Sequence, residues 1–466
     1  MHFEISNKIK IKDCNNWAWE WIFDNLVVDN PTYITLDRLG KEDTIKWKHV
    51  PPKLNCYSKR GNDAYVPFGC LNALWPIIKK CSYTLNFNSN PDISLKYKEC
   101  PVELYDYQQE AVDYMVKAKG GVLVSPCGSG KTFMGIEIIR RLGKRFLWLT
   151  HTKDLLNQTM KEFKGLYEDL DIGTITEGKI DMGKDGTIST IQTLSKIDAK
   201  IYSDYFDVVV VDECAHCAGS VTNRKMFQDV VEQIPARYKY GLTATPARSD
   251  SLIKTMYMIL GTSKAGLFEP TFKIEKERVK TIVAEHVRYD LETVIPYDSE
   301  IRQIDGTIEY VDLINFLAEN NERNNEICKN VFECSKEKRK QIVLCSRVDQ
   351  CYVLGEKLKA LGLKVDVVTG KVTKKARSIS LAEDNNWDVL VATYSLLKEG
   401  ISIKKADTLH LTAPIKDKST IVQCVGRIER FLESKKQPIV YDYVDKNISY
   451  CLKKFTERKR YIKKRF

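Results

Sequence analysis

The chain has 466 residues, 43% of them apolar and 29% charged, with 24 Gly and 14 Pro. That composition lies in the globular range and excludes fibrous and disordered classes, and the length suits about three domains. No apolar run approaches the roughly 18 residues needed to span a bilayer, so no membrane association is expected. Met1-His2-Phe3-Glu4 also lacks the basic-then-apolar pattern of a signal segment, which places the chain in the compartment where it is made, a reducing cytoplasm. Fourteen scattered cysteines then read as free thiols. The formal charge is +11, from 73 Lys and Arg against 62 Asp and Glu. Residues 452–466 contribute +7 of it, with eight basic residues and one acid. Such an excess points to a polyanion partner. The competing reading is a solvated helix face, since Ile448, Leu452, Phe455, Ile462 and Phe466 recur at helical spacing.

Residues 1–98 hold 14 of the aromatic residues, including Trp17, Trp19, Trp21, Trp47 and Trp75. The alternation of the first three fits a strand, whereas Asn15 or Asn16 as a cap before Trp17, Trp21, Phe23 and Leu26 fits a helix. Buried aromatics are the default, so the zone reads as a small core, with a surface for unpaired bases as the alternative. From residue 99 short β-branched runs alternate with amphipathic segments, which predicts a parallel α/β sheet. Strands are expected at Val122–Val124, Phe146–Thr150, Thr187–Ile191, Val208–Val211 and Tyr240–Thr243. A second series is expected at Ile342–Cys345, Val365–Val368, Val389–Ala392, Thr408–Leu411 and Ile439–Tyr443. Domains are therefore expected over 1–98, 99–265 and 301–466, with a charged, weakly patterned linker over 266–300.

Ser125-Pro126-Cys127-Gly128-Ser129-Gly130-Lys131-Thr132 follows the first strand and reads as a phosphate loop, although Ser125 stands where the general pattern has Gly. Gly128 and Gly130 let backbone N–H groups approach phosphate oxygens, with Ser129 between them. Lys131 reaches the β and γ phosphates, and Thr132 offers a hydroxyl to Mg²⁺. The following helix, with Met134, Ile138 and Leu142 on one face, is expected to stop at Gly143. Asp207-Val208-Val209-Val210-Val211-Asp212-Glu213-Cys214-Ala215-His216 is an apolar strand ending in two acids. Asp212 is assigned to the metal and Glu213 to the general base that activates water. Cys214 and Cys217 with His216 make at most half a zinc site, since no second pair stands at suitable spacing. In Gln423-Cys424-Val425-Gly426-Arg427-Ile428-Glu429-Arg430, two arginines three apart are expected on one helical face, able to meet phosphate oxygens.

Together these motifs resemble, in order, those of the superfamily 2 helicases from about residue 100 onward, most closely the UvsW-like and XPB-like DExH members. The resemblance implies two tandem RecA-like parallel-sheet domains and a small α+β accessory domain at the N-terminus. It implies ATP and Mg²⁺ as ligands, with Gln423, Arg427 and Arg430 acting on the γ-phosphate held by Lys131. Tyr107-Gln108 resembles the family's adenine-reading element, with Tyr105 where Arg is usual. Thr152, Gln192, Arg248, Arg347, Thr369, Gly370 and Thr393 match nucleic-acid positions, and Glu399 and Gly400 match nucleotide positions. His216, Thr243 and Thr245 match positions that couple hydrolysis to movement. Gly400-Ile401-Ser402-Ile403-Lys404 resembles the form seen in phage UvsW recombination helicases, and Tyr65-Val66-Pro67-Phe68-Gly69 resembles a short element of their accessory domain. The expectation is a monomeric ATP-dependent DNA motor for forks, displacement loops and Holliday junctions. RNA helicase, XPB-like transcription factor, restriction motor subunit and nucleotide-switched binding module stand as alternatives.

Overall fold

The computed structural model describes all residues except 41–47, 91–97, 127, 218–220, 245–252, 262–266, 280, 297–308, 383–384, 396–402, 404, 416, 433–434 and 464–466. The chain divides into two units, Met1–Arg278 and Val279–Phe466.

The first unit begins with a five-stranded sheet in the order Ser58–Arg60, Asp63–Pro67, Lys8–Lys12, His2–Ile5, Ser82–Leu85. Alternation along two of its strands turns Phe3, Ile5, Ile9 and Ile11 inward. The Trp17–Trp21 ambiguity resolves as a helix, Asn16–Asn25, capped by the Asn15 side chain, whose Oδ1 accepts from the Ala18 N–H at 3.0 Å. Ala18, Ile22 and Leu26 fall on one face and are buried, while Trp19 and Trp21 are only partly buried and Trp17 is exposed. The core of this domain is therefore mostly aliphatic, with tryptophans at its rim.

Behind it lies an eight-stranded sheet in the order Lys179–Ile180, Ile172–Thr176, Gly186–Thr190, Phe146–Thr150, Val208–Asp212, Tyr238–Thr243, Gly120–Val124, Phe272–Lys273. All its pairings are parallel except that of Lys179–Ile180. Central strands such as Phe146–Thr150 and Val208–Asp212 are buried along their whole length, as strands covered on both faces must be. The second unit holds a six-stranded parallel sheet in the order Glu285–Leu291, Ile439–Asp445, Thr408–Leu411, Gln341–Cys345, Val389–Thr393, Val365–Val368. The mixed α/β architecture matches the expected class.

Two segments of the stretch expected as a linker, 266–300, are paired into the two sheets. Phe272–Lys273 lies beside Gly120–Val124, and Glu285–Leu291 forms the edge of the second sheet. An edge strand faces solvent, so Glu285, Arg288 and Asp290 break the apolar run by which the inner strands were recognised. The basic C-terminal segment forms a helix, with Ile448, Phe455 and Ile462 buried as the helical spacing suggested, but its basic side chains are not all solvated. In the helix Ser449–Lys463, Arg458 is fully buried, with Nε 2.9 Å and a terminal nitrogen 2.6 Å from the Asp442 carboxylate. Burial alone would raise the Asp442 carboxyl, but Arg458 and His286 beside it hold it below the usual carboxylate range. Lys453, Lys459 and Arg460 remain exposed. None of the twelve cysteines whose side chains are described is in a disulfide.

Lys239, on the strand Tyr238–Thr243, is fully buried; its Nζ lies 5.0 Å from the centre of the Phe68 ring and makes no hydrogen bond. Burial pushes its amine down to about 7, and the nearby Glu232 opposes that only in part. The folded chain thus binds fewer protons here than the unfolded chain between about pH 7 and 10, so this group makes stability rise with pH across that window. Lys239→Met is expected to flatten that rise and to stabilise the protein by on the order of 2–4 kcal/mol at pH 8, measured by denaturant unfolding at several pH values.

Candidate active site

Parallel register brings three strand ends together: Val124 pairs with Thr243 and Asp212 with Leu242, so the loop after Val124 emerges beside Asp212 and Thr243. The Ser125 amide donates to the Thr243 carbonyl at 2.9 Å, and Ser125 Oγ meets Ser129 Oγ. Ser125 therefore replaces the usual Gly with a side chain that braces the loop from inside. Gly128 and Gly130 both have φ of +83°, a region that favours glycine. The helix Lys131–Leu142 starts at this turn and ends at Gly143, as expected, with its N-terminal amides facing the loop.

Gln108 has contacts that its motif does not announce. Its Nε2 donates to the Ser129 carbonyl at 2.8 Å, its Oε1 accepts from the Tyr105 amide at 3.1 Å, and the Tyr107 hydroxyl donates to the same Ser129 carbonyl at 3.3 Å. A Cβ at Gly130 would lie 2.6 Å from Gln108 Nε2. The amide expected to read adenine also holds the phosphate loop. Sequence reasoning missed this because the loop group it holds, the Ser129 carbonyl, is 21 residues away.

Glu213 carries φ of +47°, a left-handed backbone that is costly for a side-chain-bearing residue. The Glu213 amide donates to Asp212 Oδ1 at 2.9 Å, and Lys131 Nζ lies 3.8 Å from Glu213 Oε1. Glu213 Oε2 is buried without a hydrogen-bond partner. Burial, then the Glu213 charge, raises the Asp212 carboxyl to about 7. Two acids and an ammonium at one strand end thus form a polar cluster that is incompletely satisfied by the protein alone.

The strands Phe146–Thr150 and Gly186–Thr190 also end together, Thr150 opposite Thr190. Their loops bring Gln192 Nε2 to 3.2 Å from His151 Nδ1, while Thr152 Oγ1 accepts from the Leu155 amide as the cap of Lys153–Leu166. In the second unit Thr393 ends its strand opposite Cys345, and Arg347 Nε donates to Asn315 Oδ1 at 2.6 Å. Asn315 went unnoticed, as an isolated amide within the mostly apolar helix Tyr310–Glu319. Thr369 is fully buried, its hydroxyl near the Tyr352 hydroxyl and accepting from the Lys371 amide at 3.3 Å, so its side chain shapes the turn rather than facing a strand; a Cβ at Gly370 would meet open space. Gln423 and Arg427 lie on the helix Lys418–Ile428, but Arg430 lies beyond its end and bridges Thr281. The two arginines therefore do not share one helical face. The helix stops because its C-terminal residues are recruited elsewhere: Ile282 N donates to Glu429 O at 3.0 Å and Ala284 N to Glu429 Oε1 at 3.3 Å. Thr245, Arg248, Glu399, Gly400 and the side chain of His216 lie outside the described residues.

Residues 101–248 match the family model described as type III restriction enzyme, res subunit, and residues 322–432 match the helicase conserved C-terminal domain. The two together cover more than half of the chain. The chain is a superfamily 2 helicase of the ResIII type. It is similar to a protein of Acanthamoeba polyphaga mimivirus named among the ATP-dependent RNA helicases, 26% identical over 93% of this chain and 84% of that protein. It is 25% identical to the DNA 3'-5' translocase XPB2 of Sulfurisphaera tokodaii over 74% of this chain and 82% of that one. The solved structure of S. cerevisiae Dbp5 bound to RNA and ADP BeF3 shares the fold, with a TM-score of 0.56 at 14% identity over 77% of this chain and 88% of that one. This helicase is an ATP-hydrolysing enzyme.

Because Gln108 supports the loop without supplying charge, Gln108→Ala in this helicase is expected to raise the KM for ATP about tenfold and to change kcat far less. Glu213→Gln is expected to leave ATP binding within about threefold while cutting turnover at least about 100-fold, read by equilibrium nucleotide binding beside phosphate release.

Proposed function

We propose that this helicase is a DNA motor that remodels branched substrates, namely forks, displacement loops and Holliday junctions. Support for DNA comes from the alignment with a protein named as a DNA translocase over 82% of that protein's length. Support for branched substrates comes from the Gly400–Lys404 run and the Tyr65–Gly69 element, both similar to those of phage recombination helicases.

The observation that carries the motor reading is the Lys131, Asp212 and Glu213 cluster at the end of parallel strands beside the phosphate loop. Lys131 serves as the cation for the β and γ phosphates of ATP, and Glu213 accepts the proton of the attacking water. The orphaned Glu213 oxygen and the raised Asp212 carboxyl fit a cation-binding site, since a positive ion would restore Asp212 to its charged form. Asp212 and Thr132 would hold Mg²⁺, which supplies neutralisation of phosphate charge. Gln423, Arg427 and Arg430 would supply sensing and further positive charge; Arg427 Nε is buried without a hydrogen bond. Thr152, Gln192, Arg347 and Thr393 stand at strand ends, positions suited to gripping a sugar-phosphate backbone with little sequence preference.

A second reading, action on RNA, is favoured by the mimivirus relative, which aligns with 93% of this chain and is named as an RNA helicase. A panel of single-stranded DNA, duplex, fork, four-way junction and RNA duplex separates the two. DNA is expected to stimulate ATP hydrolysis at least about tenfold, with unwinding or branch movement on fork and junction, and the stimulation is expected to fall steeply with salt. Stimulation by RNA alone would sink the DNA reading. Loss of the stimulated rate in Lys131→Ala checks that it comes from this site.

A further inference from the structure

The Tyr65–Gly69 element has a place in the fold that its sequence does not reveal. It is the end of the strand Asp63–Pro67 and the turn Phe68–Cys70, and this turn is pressed against the helix Ile253–Leu260 of the large sheet. A Cβ at Gly69 would collide with the carbonyl oxygens of Tyr257 and Met258 and would lie 2.6 Å from the Gly261 amide nitrogen. Only a residue without a side chain permits that approach. The helix is shared between two cores. Met258 belongs to the core of the accessory domain, whereas Met256, Tyr257, Ile259 and Leu260 belong to that of the large sheet.

The far side of the same helix reaches the hydrolysis cluster. A methyl group at Gly241 would lie 2.5 Å from Leu260 Cδ1 and 2.8 Å from Cys214 Sγ, so Leu260 and Cys214 close over Gly241 without a gap. Cys214 is the chain neighbour of Glu213, and Gly241 stands two residues before Thr243 on the strand that braces the phosphate loop. Further ties hold the accessory domain to this unit. Lys8 Nζ lies 2.8 Å from Glu232 Oε2, and the Asn88 side chain donates to the Ser203 and Phe206 carbonyls, both at 2.8 Å. A displacement of the accessory domain therefore has a contiguous, close-packed route to Glu213.

We propose that Gly69 is a positioning residue through which the accessory domain controls nucleic-acid-stimulated ATP hydrolysis, acting by way of the helix Ile253–Leu260 on Cys214 and Gly241. The inference rests on the motor reading above. Gly69→Ala forces the turn away from the helix while leaving the phosphate loop intact. In full-length protein with a forked DNA as probe, it is expected to lower the stimulated kcat at least about fivefold while basal kcat and the KM for ATP stay within about twofold. Leu260→Val is expected to lower the stimulated rate in the same way, and the double variant to lose no more than the worse single one, the signature of one shared route. If Gly69→Ala does not fold, Phe68→Leu takes its place against Leu260→Val. A folded Gly69→Ala protein with the parental stimulated kcat, or losses that multiply in the double variant, would overturn the proposal. Absence of any stimulation in the parental protein would remove the motor reading instead.

Discussion

Parallel pairing of Gly120–Val124, Tyr238–Thr243 and Val208–Asp212 is the constraint on which the rest of this molecule depends. Parallel strands end on the same side, so three segments far apart in the chain deliver the phosphate loop, Thr243 and the Asp212–Glu213 pair to one end of the sheet. The arrangement also contains strain. Left-handed backbone at Glu213 persists because the strand behind it is buried on both faces and cannot relax independently. Gln108 and Ser125 complete the loop from below without charge, through hydrogen bonds to the Ser129 carbonyl and the Ser129 hydroxyl respectively.

Buried charges do a different job in the second unit. Asp442 and Asp445 sit on one strand, and each anchors an arginine from a separate helix: Arg458 of Ser449–Lys463, and Arg323 of Asn321–Lys336, whose Nε lies 2.8 Å from Asp445 Oδ1. Such pairs add little net stability relative to well-packed apolar residues, because desolvation offsets attraction, but removing one partner is expensive. Their effect is to specify where those two helices lie on the sheet. Lys239 contrasts with them: it is buried against an aromatic ring without a carboxylate in contact, and it is held toward its neutral form. The +11 charge of the chain is thus a poor guide to its outer surface, since part of the basic tail is internal.

Most inner strands were legible because a strand covered on both faces must be apolar throughout, a local property of four or five residues. The phosphate loop was legible for a similar reason, since its chemistry is confined to eight consecutive positions. Glu285–Leu291 was not, because an edge strand keeps one side in water and tolerates Glu285, Arg288 and Asp290. The end of Lys418–Ile428 was not, because Glu429 is claimed by Ile282 and Ala284 from a distant segment, and that moves Arg430 off the helical face its spacing suggested.

The sequence alone determined the class of chemistry, because Lys131, Asp212, Glu213 and the glycines around them are identified by residue type and spacing. It also determined the alternating α/β architecture, through the period of its apolar residues. Tertiary structure alone decided which polar groups face outward and which are consumed internally: Gln108 by Ser129, Thr369 by its own turn, Arg458 by Asp442. It alone placed Gly69 against the helix Ile253–Leu260. Apart from the turn at Thr369, those outcomes depend on partners 16 or more residues away, and a hydrogen bond or a close backbone approach leaves no periodic trace in the chain that makes it.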